Sequence, residues 1–168
     1  MKESDFNSIF VSSINTSGGK AYKIPDPQKG EVYTSSQRPF DLFGSWNNKC
    51  FFVESKMEKS EHGSFNFKRL ADHQKDALDK FNIASGDSAD SLVVLAYWQS
   101  RSLFEVYVFD YTLIKKLLES GKKSIIKKEI LILKENDFYV NIRKKKFNVT
   151  ELFSKIIGVD KWEKMIGK

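Results

Sequence analysis

Asp41 is followed thirteen positions later by Glu54-Ser55-Lys56, and both acids lie in β-prone runs. The runs Phe40 to Trp46 and Cys50 to Ser55 are joined by Asn47-Asn48-Lys49, a link of hairpin length and composition. With the turn centred on Asn47-Asn48, Asp41 falls opposite Glu54. Side chains two apart on a strand share a face, so Lys56 accompanies Glu54. Two carboxylates and an ammonium are thereby grouped at one edge of a sheet. Carboxylate oxygens are hard ligands suited to Mg²⁺, which keeps several waters and is usually completed by substrate phosphate oxygens. The chemistry that fits is phosphodiester hydrolysis: Asp41 and Glu54 hold the ion, with the Ser55 carbonyl as a third ligand, and Lys56 orients or helps deprotonate the attacking water. The same three residue types also meet by chance on solvated strand faces, and spacing alone does not separate the two readings.

The surrounding sequence supplies elements to position such a site. Phe6, Ile9, Phe10 and Ile14 recur at helical spacing, with Ser4 or Asp5 as N-cap and Gly18-Gly19 as the stop. Ala21 to Ile24 leads into Pro25-Asp26-Pro27 and a polar loop reaching Arg38. Between Phe67 and Phe81, Leu70, Ala71, Gln74, Ala77, Leu78 and Phe81 form one helical stripe, with Gly86 beyond the end. Leu92 to Tyr97 and Leu103 to Phe109 read as buried strands joined by a turn at Gln99 to Ser102. Tyr111 to Glu119 reads as a helix, Phe138 to Ile142 as a strand and Thr150 to Ile157 as a last helical piece; periodicity leaves Ile125 to Leu133 undecided between helix and strand. The pattern predicts an α/β fold, a single mixed central β-sheet flanked by helices.

Composition narrows the field. The 168 residues and 40% hydrophobic content suit one domain spanning 1–168, with the basic part 113–168 packed on the core or extending it. Charges or turn residues interrupt every apolar run before the roughly 18 residues of a membrane span. Glu3 and Asp5 stand where a secretory leader would be basic, so the expected location is cytoplasmic. One cysteine, Cys50, and two histidines, His62 and His73, furnish neither an internal disulfide nor a zinc site. The net charge of +6 is uneven: Met1 to Thr112 carries 13 basic and 15 acidic residues, Leu113 to Lys168 carries 15 and 7. A basic surface of this kind favours polyanions; no clear basic amphipathic helix with an aromatic face points to a membrane instead. Lys68 and Arg69 lie nearest the acids in sequence, while Lys122-Lys123, Lys127-Lys128 and Arg143-Lys144-Lys145-Lys146 are further candidates for tracking phosphates. Tyr97, Trp98, Tyr107 and Phe109 read as core or dimer-interface aromatics, and Trp46, at the hairpin tip, as the open one.

An ordered set of motifs extends the reading. Phe40-Asp41-Leu42-Phe43-Gly44 with Phe52-Val53-Glu54-Ser55-Lys56 resembles the active-site hairpin of the PD-(D/E)xK (restriction-endonuclease-like) nuclease superfamily. Within it, the chain is similar to the RecU-type Holliday junction resolvases of Gram-positive bacteria and their phages. Ser64-Phe65-Asn66-Phe67, Leu70 and His73-Gln74 resemble that family's approach to its second helix, and Ala21 to Pro27 its strand and Pro-x-Pro turn. The resemblance implies Asp41, Glu54 and Lys56 as the catalytic trio and Gln74 as their support. It further implies Mg²⁺, with Mn²⁺ able to substitute, and a homodimer that cuts a four-way DNA junction symmetrically. His73 is assigned to structure rather than chemistry. Two departures stand out. The glutamate that the family's first helix presents is replaced by Asp5-Phe6-Asn7, leaving Glu3 or Asp5 to substitute, and only Gln28 to Phe40 is available for the projection that enters the junction. Two other readings keep DNA as partner: a sequence-specific endonuclease of the same superfamily, or a non-catalytic DNA-binding recombination-accessory protein.

Overall fold

Asn47 and Asn48 both adopt positive φ, 51° and 63°, the conformation that a two-residue type I′ hairpin turn demands and that asparagine tolerates better than most residues. They join β2 (Leu42–Trp46) to β3 (Lys49–Lys59), with Leu42 paired to Val53 and Trp46 to Lys49. The turn is thus one residue shorter than expected, since Lys49 already belongs to β3. The computed structural model describes residues 2–25, 38–59, 63–100, 103–132, 139–141, 148–154, 156–158, 160 and 163–164.

Around this hairpin the described chain forms α1 (Glu3–Thr16), β1 (Lys20–Lys23), β4 (Ser64–Asn66), α2 (Asp72–Ser85), β5 (Ala89–Ser100), β6 (Leu103–Asp110), α3 (Tyr111–Glu119), β7 (Ser124–Ile126), α4 (Lys127–Ile132), β8 (Tyr139–Asn141) and α5 (Val149–Ser154). Six strands make one mixed sheet in the order β1-β2-β3-β5-β6-β8. β3 and β5 run parallel, from Cys50 opposite Ala89 to Lys59 opposite Trp98, and α2 lies in the crossover that parallel neighbours require. The other pairs in this sheet are antiparallel. The fold is therefore mixed α/β with a central sheet flanked by helices.

Both faces of the sheet are buried at its centre, as the near-continuous apolar run of β5 requires. Leu92, Val94 and Ala96 face α1 and α5, joining Phe6, Phe10, Ile14, Leu42, Val53 and Leu152. Val93, Leu95 and Tyr97 face the other way, with Phe65, Phe67, Leu78, Phe109, Ile114 and Leu117. Tyr97, Tyr107 and Phe109 are thus core residues. Trp46 is half-buried: its ring centroid lies 5.5 Å from that of Phe153, and Nε1 donates to the Ser17 carbonyl. The tip aromatic is a packing residue.

Several boundaries differ from the sequence reading for local reasons. α1 starts at Glu3, with Lys2 as N-cap; Asp5 sits inside the first turn, where its carboxylate accepts the Lys2 N–H at 2.9 Å. α2 starts at Asp72 because Phe67–Arg69 forms a separate 3₁₀ turn, capped by Asn66 Oδ1 accepting the Lys68 N–H. Ile125 to Leu133 divides: β7 pairs with β4 in a small second sheet, then α4 begins. The last helical piece stops at Ser154, and Ile157 instead bridges to Phe109.

Gly44 lets β1 approach β2 and Phe51. A Cβ there would lie 2.3 Å from the Lys20 carbonyl oxygen and 2.8 Å from Ala21 Cα, both backbone atoms that cannot swing aside. Gly44→Ala is expected to destabilise the protein by about 1–3 kcal/mol or more, measured by urea unfolding. An unchanged midpoint would show that β1 is not held where the structure puts it.

Candidate active site

The site is built where β2 begins. Phe40 and Asp41 fall outside the regular strand, but the Asp41 N–H still donates to the Val53 carbonyl at 3.0 Å. The Asp41 side chain is fully buried and turned across the hairpin: Oδ2 accepts the Ser55 N–H at 2.9 Å and the Ser55 hydroxyl at 2.7 Å. Asn7 of α1 places its side-chain amide 2.5 Å from Ser55 Oγ. A hydroxyl has one proton, here given to Asp41, so the Asn7 amide must turn its NH₂ toward Ser55. α1 thus holds Ser55, and Ser55 holds Asp41.

Glu54, equally buried, points to the opposite face, toward α2. Its Oε1 accepts from Gln74 Nε2 at 2.7 Å and from Lys56 Nζ. Gln74 is itself fixed, because its Oε1 accepts the Ala71 N–H at the start of α2. Lys56 is nearly buried beside Glu54. Burial, then the charge of Asp41, pushes the Glu54 carboxyl up to about 7, against the lowering effect of Lys56. Glu3, at the start of α1, also enters the group: its Oε2 accepts the Met57 N–H at 3.3 Å, and burial raises its carboxyl as well. Asp5 does not join, being exposed and occupied with Lys2.

Glu54 titration carries a stability consequence with a definite sign. Its folded pKa, about 7, exceeds the ordinary 4.5, so between these values the folded chain keeps a proton that the unfolded chain releases. The contribution is fully present below 4.5 and lost as pH rises through 7. In EDTA, urea unfolding should show this as a decline of about 3 kcal/mol at most, and Glu54→Gln should flatten that part of the slope. An identical pH slope in the variant would mean that Glu54 titrates as an ordinary carboxyl.

Two carboxylate oxygens of the site, Asp41 Oδ1 and Glu54 Oε2, are buried and lack a hydrogen bond among the described residues, as does the Tyr97 hydroxyl elsewhere in the core. Arg38 brings Nη2 to 2.5 Å from Asp41 Oδ1, which partly offsets its charge. Buried polar atoms are normally satisfied, so Glu54 Oε2 without a donor and Asp41 Oδ1 facing Arg38 make an all-oxygen pair whose chemistry fits a hard divalent cation. Among the described residues no group of three His, Cys, Asp or Glu side chains is arranged to hold a metal ion. Two carboxylates supplemented by water and substrate oxygens is the ligand set Mg²⁺ commonly takes.

The basic candidates are more scattered. Lys68 is exposed beside a groove shared with Phe67, Lys75, Lys122 and Lys123. Arg69 is bound to Glu58 and to the Met57 carbonyl, on β3 just beyond Lys56. Arg143, Lys144, Lys145 and Lys146 lie outside the described residues, as do His62 and most of the Gln28 to Phe40 loop. Asn7 and Arg38 were not visible as site residues in the sequence. For Asn7 the available signal was its i,i+4 relation to Glu3, which puts both on one side of α1.

No helix among the described residues is long and apolar enough to cross a membrane. No family model and no curated protein matches the sequence. Among solved structures the chain is similar to Hjc of Archaeoglobus fulgidus, a Holliday junction resolvase from an archaeal hyperthermophile, with 15% identity and a TM-score of 0.47 over 82% of this chain and 87% of that one.

Proposed function

We propose that the protein is a Mg²⁺-dependent endodeoxyribonuclease acting on branched DNA, four-way junctions in particular, during recombination or repair. The observation that supports it most is the pair of buried carboxylates, Asp41 and Glu54, with Glu54 Oε2 lacking a hydrogen bond among the described residues, Asp41 Oδ1 facing Arg38, and Lys56 Nζ alongside. Asp41 and Glu54, with the Ser55 carbonyl, are the residues that would hold the ion; Mn²⁺ would substitute. When bound, the cation supplies Lewis acidity and charge neutralisation at the phosphate. Lys56 orients the attacking water from the face it shares with Glu54. Gln74 fixes the Glu54 carboxylate, and Asn7 with Ser55 fixes that of Asp41. Glu3 takes the place of the acid expected from the first helix. Lys68, Arg69 and Arg143 to Lys146 contact phosphates, which gives affinity and salt sensitivity without reading sequence. The preference for junctions and the homodimer rest on the sequence resemblance.

The test is incubation in Mg²⁺ with a labelled four-way junction, a linear duplex and a single strand of the same sequence. Paired nicks in the junction support the proposal, and no cleavage of any of the three removes it. Discrete fragments from a plasmid would redirect it to a sequence-specific endonuclease.

A further inference from the structure

The face of the sheet that carries Glu54 and Lys56 continues across β2 and β1. Cross-strand partners share a face, and Tyr22 pairs with Phe43, which pairs with Phe52, two residues before Glu54 on β3. α2 covers this row as far as Phe52, on which Phe81 stacks at 4.3 Å. Beyond Phe52 exposure rises. Phe43 is 41% exposed and Tyr22 57% exposed, yet their rings stack on each other at 5.6 Å. Lys20, exposed two residues from Tyr22, shares its face. Strand geometry places this pair on the order of 10 Å from the Glu54 backbone, within reach of the nucleotides next to a phosphate held at Asp41 and Glu54.

We propose that the Tyr22–Phe43 pair is a nucleobase-stacking surface, taking an unpaired base of the strand whose phosphate lies at the carboxylates. The proposal rests on the nuclease reading for the identity of the polymer. Stacked rings beside a lysine match what single-stranded DNA presents, a π-face beside a negative charge, and stacking accepts any base. A second copy of the chain is a poorer occupant. Two side chains are a small part of the roughly 800 Å² per partner of a stable interface, and two-fold pairing through this patch would bring like-charged Lys20 side chains near each other. Such a surface would favour junctions and other branched substrates, where bases can leave the stack, over continuous duplex.

The experiment uses the full chain and oligonucleotides carrying 2-aminopurine, as a single strand and as a blunt duplex, without divalent ion so that nothing is cut. The expected result is quenching of the single strand by the wild type. Tyr22→Leu/Phe43→Leu, which keeps apolar bulk on the strands, should lose the quenching and about tenfold or more in single-strand affinity. Tyr22→Trp should retain both. Equal quenching and affinity in the double leucine variant, or no quenching by the wild type, overturns the proposal. So does a change in sedimentation of that variant with its DNA affinity intact, which would assign the patch to a second copy. Since the assay needs no cleavage, a protein that stacks bases but cuts nothing refutes the nuclease reading alone.

Discussion

Asp41→Asn should abolish strand cleavage, by about a thousandfold or more, while leaving DNA binding without divalent ion within a few-fold of the wild type. The substitution is nearly isosteric. The asparagine oxygen can still accept the Ser55 N–H, so the hairpin keeps its register. What disappears is the negative charge of a fully buried group, and with it one of the two oxygens suited to a cation. The carboxylate charge that faces Arg38 is lost as well. In the proposed function DNA is held by many lysines and arginines, so one buried acid would contribute little to affinity. Single-turnover cleavage in Mg²⁺ and gel shift in EDTA separate the two quantities. Asp5→Asn is the matched control: Asp5 is exposed, accepts only from Lys2 among the described contacts, and should leave the rate unchanged. Cleavage by Asp41→Asn within tenfold of the wild type would take Asp41 out of the chemistry.

The hairpin was legible because its signals are local. An Asn-Asn turn between alternating runs specifies both the turn type and the register, and the register alone sets Asp41 against Glu54. The extent of β3 was not legible. Its last part, Met57-Glu58-Lys59, reads as the start of a charged loop, yet it pairs with β5 out to Trp98, with Glu58 held by Arg69 and the preceding Lys56 by Glu54. Partners across the fold override the local preference. β7 was ambiguous for a similar reason: three residues become a strand only because β4, some 60 positions earlier, lies alongside. The burial of Trp46 and the exposure of Tyr22 were not legible either. Period-2 alternation gives the face of a strand but not where a helix ceases to cover it. Phe153 closes over Trp46, whereas α2 stops short of Tyr22 and Phe43.

Lys56→Ala should lower cleavage by about 10²–10⁴-fold at pH 7 while binding stays within a few-fold. Two separable losses are involved. The ammonium that would orient water and offset phosphate charge is gone. In addition, Glu54 loses its nearest cation and one of its hydrogen bonds, both of which lower its pKa in the wild type. Its carboxyl, already at about 7, therefore moves further up and is largely protonated at neutral pH, a form that ligates a cation poorly. The second loss is reversible by pH and the first is not. Raising the pH from 7 to about 9 should restore part of the variant's rate, through deprotonation of Glu54, and bring back Mn²⁺ binding measured without DNA. The wild type should gain less over the same interval, because its Glu54 is already half ionised at the start. If binding and cleavage fell equally, Lys56 would be a phosphate contact and no more. If the variant's deficit were the same at both pH values, the coupling between Lys56 and Glu54 would play no part in cleavage, and the ammonium alone would account for it.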